Sequence, residues 1–121
     1  MKACPHIEAV FEILGRKWNG RLVHYLSTCP GGVARFSEIE SDVGVISPRA
    51  LSLKLAELIG FDLIEKQAHE GSAATVRYVL TQRGWTLVEA MKPLQQWARG
   101  QLPATAIPTT SVTYDKGRIN T

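Results

Sequence analysis

Residues 47–58 read SPRALSLKLAEL and give the strongest structural signal in the chain. Ser47 suits the position before a first helical turn, and the proline after it has no N–H to leave unpaired there. Leu51, Leu55 and Leu58 recur at helical spacing, so they predict one buried stripe. The outward positions are Arg49, Ser52, Leu53 and Ala56, with Lys54 at the border. The stretch therefore predicts a helix that packs through leucines and presents a basic outer face.

The residues after this helix predict a small β-hairpin. Gly60 is a suitable end for the helix, and two β-type runs follow it, over residues 64–68 and 75–80. A turn-forming stretch at residues 69–72 joins the two runs. A helix followed directly by a hairpin is typical of a winged helix-turn-helix, so DNA binding is the leading hypothesis. The predicted fold class is mainly α with a small β-hairpin wing.

The part of the chain before residue 47 predicts shorter elements. Apolar residues at helical spacing and turn-forming residues between them set their limits. The predicted helices cover residues 6–14, 18–26 and 37–43, with a brief extended piece over residues 34–36. Ser37 is predicted to cap the third of these helices. Together with the helix that begins after Ser47, it forms the predicted helix-turn-helix, residues 37–59.

The C-terminal part predicts a long helix and a tail. Thr81 is predicted to cap a helix over residues 82–99, which Pro93 should bend. The tail, residues 103–121, is rich in threonine and proline and is predicted to be flexible. Residues 1–102 are then one domain. Its first and last helices carry more apolar surface than a small core can cover, which predicts a homodimer that packs through them.

Composition limits the class of protein to which this chain can belong, but it does not identify that class. The chain has 121 residues, enough for one compact domain, and its formal net charge of +3 is mild. The sequence shows neither a secretory signal nor a run long enough to cross a bilayer, so a cytoplasmic protein without a membrane partner is expected. Its two cysteines form no CxxC pair, and His6 near Cys4 lacks further ligands at a suitable spacing. No metal or cofactor is expected.

Several short motifs together resemble one known family. They occur in this order at Cys4-Pro5, 13–18 (ILGRKW), 35–39 (RFSEI), 46–51 (ISPRAL), 55–58 (LAEL) and 78–84 (YVLTQRG). The order and spacing are those of the HxlR-type winged helix-turn-helix transcriptional regulators of prokaryotes. The resemblance covers about residues 4–97, nearly everything but the tail.

The resemblance implies a homodimer that binds an inverted-repeat operator, usually as a repressor, with the helix after Ser47 in the major groove. Arg49 can then reach guanine O6 and N7, Ser52 a base or a phosphate, and Leu53 a thymine methyl group. Two copies of the helix must lie about 34 Å apart, one turn of DNA. The candidate DNA-contacting residues are Arg16, Lys17, Arg35, Ser37, Ser47, Arg49, Ser52, Leu53, Lys54, Lys66 and Arg77. The alternative for the basic residues among them is a solvated surface.

Cys4 is the candidate sensor residue. It precedes the first helix, near the positive end of the helix dipole and near Lys2, which would favour reaction with oxidants or electrophiles. The resemblance implies the same, since several family members with a cysteine at this place are thiol-based sensors. A buried thiol that packs the helix start is the alternative. Cys29 is interpreted as an ordinary thiol, and a small-molecule effector remains a second option.

Two other function classes are a protein-interaction module and an enzyme. A winged helix can also bind a partner protein without reading DNA, and Leu53 on the outer helix face favours that alternative. Arg49 and the basic residues around it favour DNA. An enzyme is not indicated, because the sequence offers no Ser/His/Asp grouping, glycine-rich phosphate loop or paired carboxylates for a cleft.

Overall fold

The computed structural model describes residues 1–68, 76–103 and 105. The elements run in the order α1 (Pro5–Leu14), α2 (Asn19–Thr28), a 3-10 turn (Pro30–Gly32), β1 (Val33–Arg35), α3 (Phe36–Val43), α4 (Pro48–Gly60), β2 (Ile64–Gln67), β3 (Arg77–Leu80) and α5 (Gln82–Gln101). This arrangement confirms the predicted class, a mainly helical chain with a small sheet. The predicted turn at residues 69–72 and the predicted tail, apart from residues 103 and 105, lie outside the described residues.

Helix α4 has the start and the buried stripe that its sequence predicts. The Ser47 hydroxyl accepts a hydrogen bond from the Ala50 N–H at 3.1 Å, and Pro48 occupies the first helical position. Leu51, Leu55 and Leu58 are buried to 1% exposure or less. The predicted outward residues are exposed, and Lys54 is half-buried. Local capping and helical periodicity therefore account for this element.

Helix α3 begins earlier than its sequence suggests. The predicted cap at Ser37 is wrong, because Phe36 is already helical and Arg35 is the residue before it. The Arg35 backbone N–H donates to a Glu38 carboxylate oxygen at 2.8 Å. This hydrogen bond stabilises the helix start, as a serine cap would otherwise do. The Phe36 ring also packs near the Tyr78 ring, with centroids 6.5 Å apart. Ser37 is left exposed in the first turn.

The sheet has three antiparallel strands in the order β1-β3-β2. Ala34 lies opposite Tyr78, and Ile64 lies opposite Leu80, so these four buried residues form the core face. Because side chains alternate along a strand, the neighbouring positions face the other way. Strand β1 thus pairs with the hairpin as its third strand, a pairing that the sequence pattern did not predict.

The start of α5 packs closely against the residue before β2. The Thr81 hydroxyl accepts from the Gly84 N–H at 3.0 Å, which confirms the predicted cap, and the Thr81 N–H donates to the Leu63 carbonyl at 3.1 Å. A Cβ atom at Gly84 would collide with that same carbonyl, so only glycine allows this approach. The helix continues past Pro93 to Gln101, and the bend at Pro93 stays a prediction.

Helix α1 depends little on the core of its own chain. None of its ten residues, all of them described, is buried. Phe11 is 64% exposed, and on α5 Leu94 and Trp97 are 61% and 56% exposed. Both ends of the domain thus carry uncovered apolar side chains. Within the described ranges, no helix is long and apolar enough to span a membrane.

Candidate nucleic-acid interface

The outer face of α4 presents polar, basic and apolar side chains together. Arg49 lies in the first turn, and Ser52 and Leu53 follow on the exposed side, with Leu53 63% exposed. Among the residues that the structure describes, Arg49 has no hydrogen-bond or ion-pair partner. Its guanidinium therefore remains available for a ligand. The structure places these three predicted site residues on one surface.

Two of the predicted phosphate contacts are instead paired with a carboxylate. Glu57 lies near the end of α4, and one of its oxygens is 3.3 Å from an Arg16 guanidinium nitrogen. Its other oxygen is 3.2 Å from the Lys54 ammonium group. The Lys54 side chain is only 24% exposed, whereas that of Arg16 is 50% exposed and also lies over the Phe61 ring. Their charges are thus partly offset within the chain.

A buried asparagine holds this carboxylate in place. Asn19 is fully buried at the start of α2, and its side-chain amide donates to the Ile13 carbonyl at 2.9 Å and to Glu57 at 3.1 Å. Its own oxygen has no hydrogen-bond partner in the described part of the chain. The amide joins the end of α1, the start of α2 and helix α4. We define Asn19, Arg16, Lys54 and Glu57 as the Glu57 network.

The Glu57 network lowers the pKa of its central carboxyl group. The largest contribution is the hydrogen bond from Asn19, and Lys54 and Arg16 lower the pKa further, while partial burial opposes them. A depressed pKa in the folded state means that ionised Glu57 stabilises the fold above its ordinary pKa. This contribution is lost as the pH falls through the lowered value.

Acid should therefore destabilise the wild-type chain more than a variant that lacks this ionisation. We expect Glu57→Gln to be the less stable protein at neutral pH, and the difference to shrink as the pH falls below the ordinary glutamate value of 4.5. Urea unfolding at several pH values measures both free energies. A difference that stays constant down to acid pH would contradict the assignment.

The remaining basic candidates form two further groups. Arg35 and Arg77 lie opposite each other on β1 and β3, and Lys66 is exposed on β2. Lys17 is exposed before α2, with its ammonium group 5.9 Å from the centre of the Trp18 ring. Ser47 uses its hydroxyl for the helix cap. The predicted contacts are thus divided between α4, the Glu57 network, the sheet, the turn before α2 and, for Ser37, the first turn of α3.

The two cysteines differ in their access to solvent. Cys4 is exposed at the residue before α1, and its side chain makes no capping hydrogen bond. Within this single chain, the Cys4 thiol is therefore not buried against the start of α1. Cys29 is 5% exposed and its thiol contacts the Tyr25 carbonyl at 3.5 Å. Nowhere in the described ranges do three His, Cys, Asp or Glu residues group as metal ligands.

The Tyr25 hydroxyl couples α2 to the first helix of the helix-turn-helix. It donates to an Asp42 carboxylate oxygen at 2.8 Å, and burial together with this hydrogen bond raises the pKa of Tyr25 far above its ordinary value. A phenol that stays protonated keeps this bond at every physiological pH. Helical periodicity gives no indication of this hydrogen bond.

Comparisons with known proteins give the family. The HxlR-like helix-turn-helix model matches residues 13–106. The HTH-type transcriptional regulator YodB of Bacillus subtilis is 35% identical over 95 residues, 78% of this chain and 82% of that protein.

Solved structures agree with this relationship. The reduced form of B. subtilis YodB superposes with a TM-score of 0.72 at 32% identity, covering 84% of this chain and 96% of that one. Quinone-bound YodB superposes with a TM-score of 0.68 at 33% identity, covering 81% of this chain and 99% of that one. The redox regulator HypR in its reduced form superposes with a TM-score of 0.72 at 25% identity, covering 84% of this chain and 97% of that one.

These relatives are regulators and not enzymes, and their fold is the one described here. Their similarity extends over both helices of the helix-turn-helix and over the hairpin. The chain belongs to the HxlR-like helix-turn-helix family and is a winged helix-turn-helix transcriptional regulator that binds DNA.

Proposed function

We propose that two copies of this chain bind an inverted-repeat operator, each placing α4 in a major groove, and that binding represses transcription. The observation that carries the proposal is the exposed face of α4 with its unpaired Arg49. An arginine fork matches guanine O6 and N7, which no other base offers together. Leu53 suits a thymine methyl group, and Ser52 suits a base or a phosphate.

The other basic residues are proposed to position the protein on the DNA backbone. Contacts to phosphate fix orientation and supply affinity without reading the sequence. The proposed backbone contacts are Lys17, Arg35, Ser37, Lys66 and Arg77, with Arg16 and Lys54 from the Glu57 network and Ser47 at the start of α4. Since Arg16 and Lys54 share a carboxylate, we expect each to contribute less than an unpaired cation.

The proposed homodimer forms through α1 and α5. The exposed Phe11 on α1 and the exposed Leu94 and Trp97 on α5 supply apolar surface that water would otherwise contact. A two-fold axis lets the same patch serve both copies and presents two α4 helices about 34 Å apart on one side of the duplex. The chromosome of a prokaryote lies in the cytoplasm, and we propose the same location for this protein.

A binding titration at two salt concentrations tests this function. We expect the DNA upstream of the protein's own gene to bind tightly at low salt and to lose affinity steeply as salt rises, by about 0.9 in logarithmic slope per neutralised phosphate. A scrambled duplex is the control and should bind more weakly. Salt-insensitive or absent binding would instead favour a protein-interaction module, for which the 63% exposed Leu53 provides an apolar anchor.

Cys4 is proposed to modulate DNA binding through oxidation or alkylation. Its thiol is exposed beside the proposed dimer helix, and relatives include a regulator with a quinone-bound structure and one described as a redox regulator. Addition of the thiolate to benzoquinone forms a C–S bond, and the ring takes up the proton to give a hydroquinone thioether. Such an adduct at the start of α1 can shift the two reading helices out of register.

The Cys4→Ser variant should therefore bind the operator like the wild type but keep its affinity after benzoquinone or diamide treatment. Cys29→Ala is the matched control, because its thiol is buried and we expect the variant to respond as the wild type does. Fluorescence anisotropy with labelled operator measures both. Release of Cys4→Ser by the same reagents would disprove the role of Cys4.

A further inference from the structure

Two arginines oppose each other on the solvent side of the sheet. Arg35 of β1 and Arg77 of β3 are direct cross-strand partners, and Gln67 of β2 continues the same row. Their neighbours Ala34 and Tyr78 point into the core, so the arginines share the opposite face. Side chains at such paired positions start about 4.5–5.5 Å apart at their Cβ atoms.

This pair carries more positive charge than its surroundings neutralise. Like charges at directly opposite positions destabilise a strand pair. Glu38 approaches the Arg35 guanidinium at 3.7 Å, with both side chains about half exposed. Glu65 lies on the same face opposite Val79, but within the described chain neither it nor any other carboxylate forms an ion pair with Arg77. Of the two guanidinium groups, Arg35 thus has a carboxylate partner within the described chain and Arg77 has none.

The two arginines border a common recess. It has a volume of about 330 Å³ and is lined by Val33, Ala34, Arg35, Glu38 and Arg77. Glu38 is also held by the Arg35 backbone N–H at 2.8 Å, which fixes the carboxylate at the start of α3. A guanidinium has five N–H donors, so Arg35 retains donors for a second anion while it contacts Glu38.

We propose that Arg35 and Arg77 together bind one phosphodiester group of the DNA backbone. The inference deepens the proposed function, on which it rests, by assigning two of its backbone contacts to one shared phosphate. Arginine forks match phosphate oxygens in geometry and charge. A phosphate between the two guanidinium groups replaces their mutual repulsion with two attractions, so the strand pair that is unfavourable in the free protein becomes favourable on DNA.

The salt dependence of binding by Arg35→Ala, Arg77→Ala and the double variant tests the shared site. If one phosphate is shared, the double variant should lower the logarithmic salt slope by about 0.9 for each half-site and about 1.8 for the dimer, whereas two separate phosphates would lower it by about 1.8 for each half-site and about 3.6 for the dimer. The affinity loss of the double variant should also be smaller than the product of the two single losses. Additive losses with the larger slope change would overturn the proposal.

Stability of the free protein gives a second and independent readout. Arg77→Glu places a carboxylate opposite Arg35, so we expect a higher melting temperature together with weaker DNA binding. Lys92→Gln on α5 is the control for loss of one cation and should change neither. Wild-type DNA affinity in Arg77→Glu would overturn the proposal, even if the variant is more stable.

Inorganic phosphate separates a DNA contact from a site for the free anion. A site built on these two guanidinium groups should bind free phosphate only weakly, so we expect millimolar phosphate to raise the melting temperature little over chloride at equal ionic strength. A rise in the wild type that Arg77→Gln abolishes, together with unchanged DNA affinity in Arg77→Gln, would assign the recess to free phosphate and overturn the DNA assignment. If the wild type binds no DNA at all, the proposed function itself fails. If it binds but these variants match it, only the shared site fails.

Discussion

Replacing Arg49 with alanine should lower the affinity for the operator about 5- to 150-fold for each half-site. The value follows from a bidentate arginine–guanine contact, which is worth about 1–3 kcal/mol of discrimination. The side chain is exposed in the first turn of α4 and has no partner within the described residues, so its loss costs nothing in the free protein. Anisotropy titrations with operator and scrambled duplexes measure the change and its sequence dependence.

The informative control is Arg49→Lys, which keeps the charge and removes the fork. We expect it to retain affinity for the scrambled duplex and to lose affinity for the operator, since lysine attracts phosphate but cannot bind guanine with two fixed donors. Unchanged operator affinity in a correctly folded Arg49→Ala protein would exclude base reading by this residue. Equal losses on both duplexes would make Arg49 a backbone contact.

Replacing Asn19 with leucine should reduce the free energy of unfolding by about 2–3 kcal/mol. The variant leaves the Ile13 carbonyl and one Glu57 oxygen without the donor that Asn19 supplies, and hydrogen bonds to charged groups contribute about 1.5–3 kcal/mol. The unpaired Asn19 oxygen disappears with the substitution, which offsets part of the cost. Urea unfolding followed by circular dichroism measures the difference.

Asn19→Asp distinguishes loss of the donor from a misfit of leucine. The aspartate keeps the shape of asparagine but places a second carboxylate against Glu57, so this variant should be the less stable of the two at neutral pH. Lys92→Ala removes only an exposed i,i+3 ion pair with Glu89 and should change stability by about 0.5 kcal/mol or less. If Asn19→Leu is as stable as this control, the Glu57 network does not stabilise the fold.

The parts of the fold that follow from neighbouring residues could be predicted from the sequence. Ser47 and Thr81 cap α4 and α5 because a hydroxyl can reach a backbone N–H only three residues away. The stripe of Leu51, Leu55 and Leu58 is set by helical periodicity alone. The exposed position of Arg49 follows from the same geometry. These features also identify α4, which is the central part of the candidate site.

The contacts between distant residues could not be predicted in this way. Asn19 and Glu57 are 38 positions apart, and neither residue belongs to a periodic pattern that indicates a partner. Arg35 and Arg77 become neighbours only because β1 pairs with β3 in one particular register. The sequence thus identified both cations and missed their relationship. The start of α3 was also misplaced, because the hydrogen bond from the Arg35 N–H to Glu38 replaces the expected serine cap.

Because α1 is exposed, its helix should become unstable when the protein is diluted. A ten-residue helix is marginal in water on its own, and this one gains little from the hydrophobic core beneath it. Its order must therefore come mainly from whatever covers Phe11 and its neighbours. At low protein concentration α1 should exchange its amide hydrogens with solvent well before the leucine-lined core of α4 does, so the segment that carries Cys4 would lose its helix while the remainder stays folded.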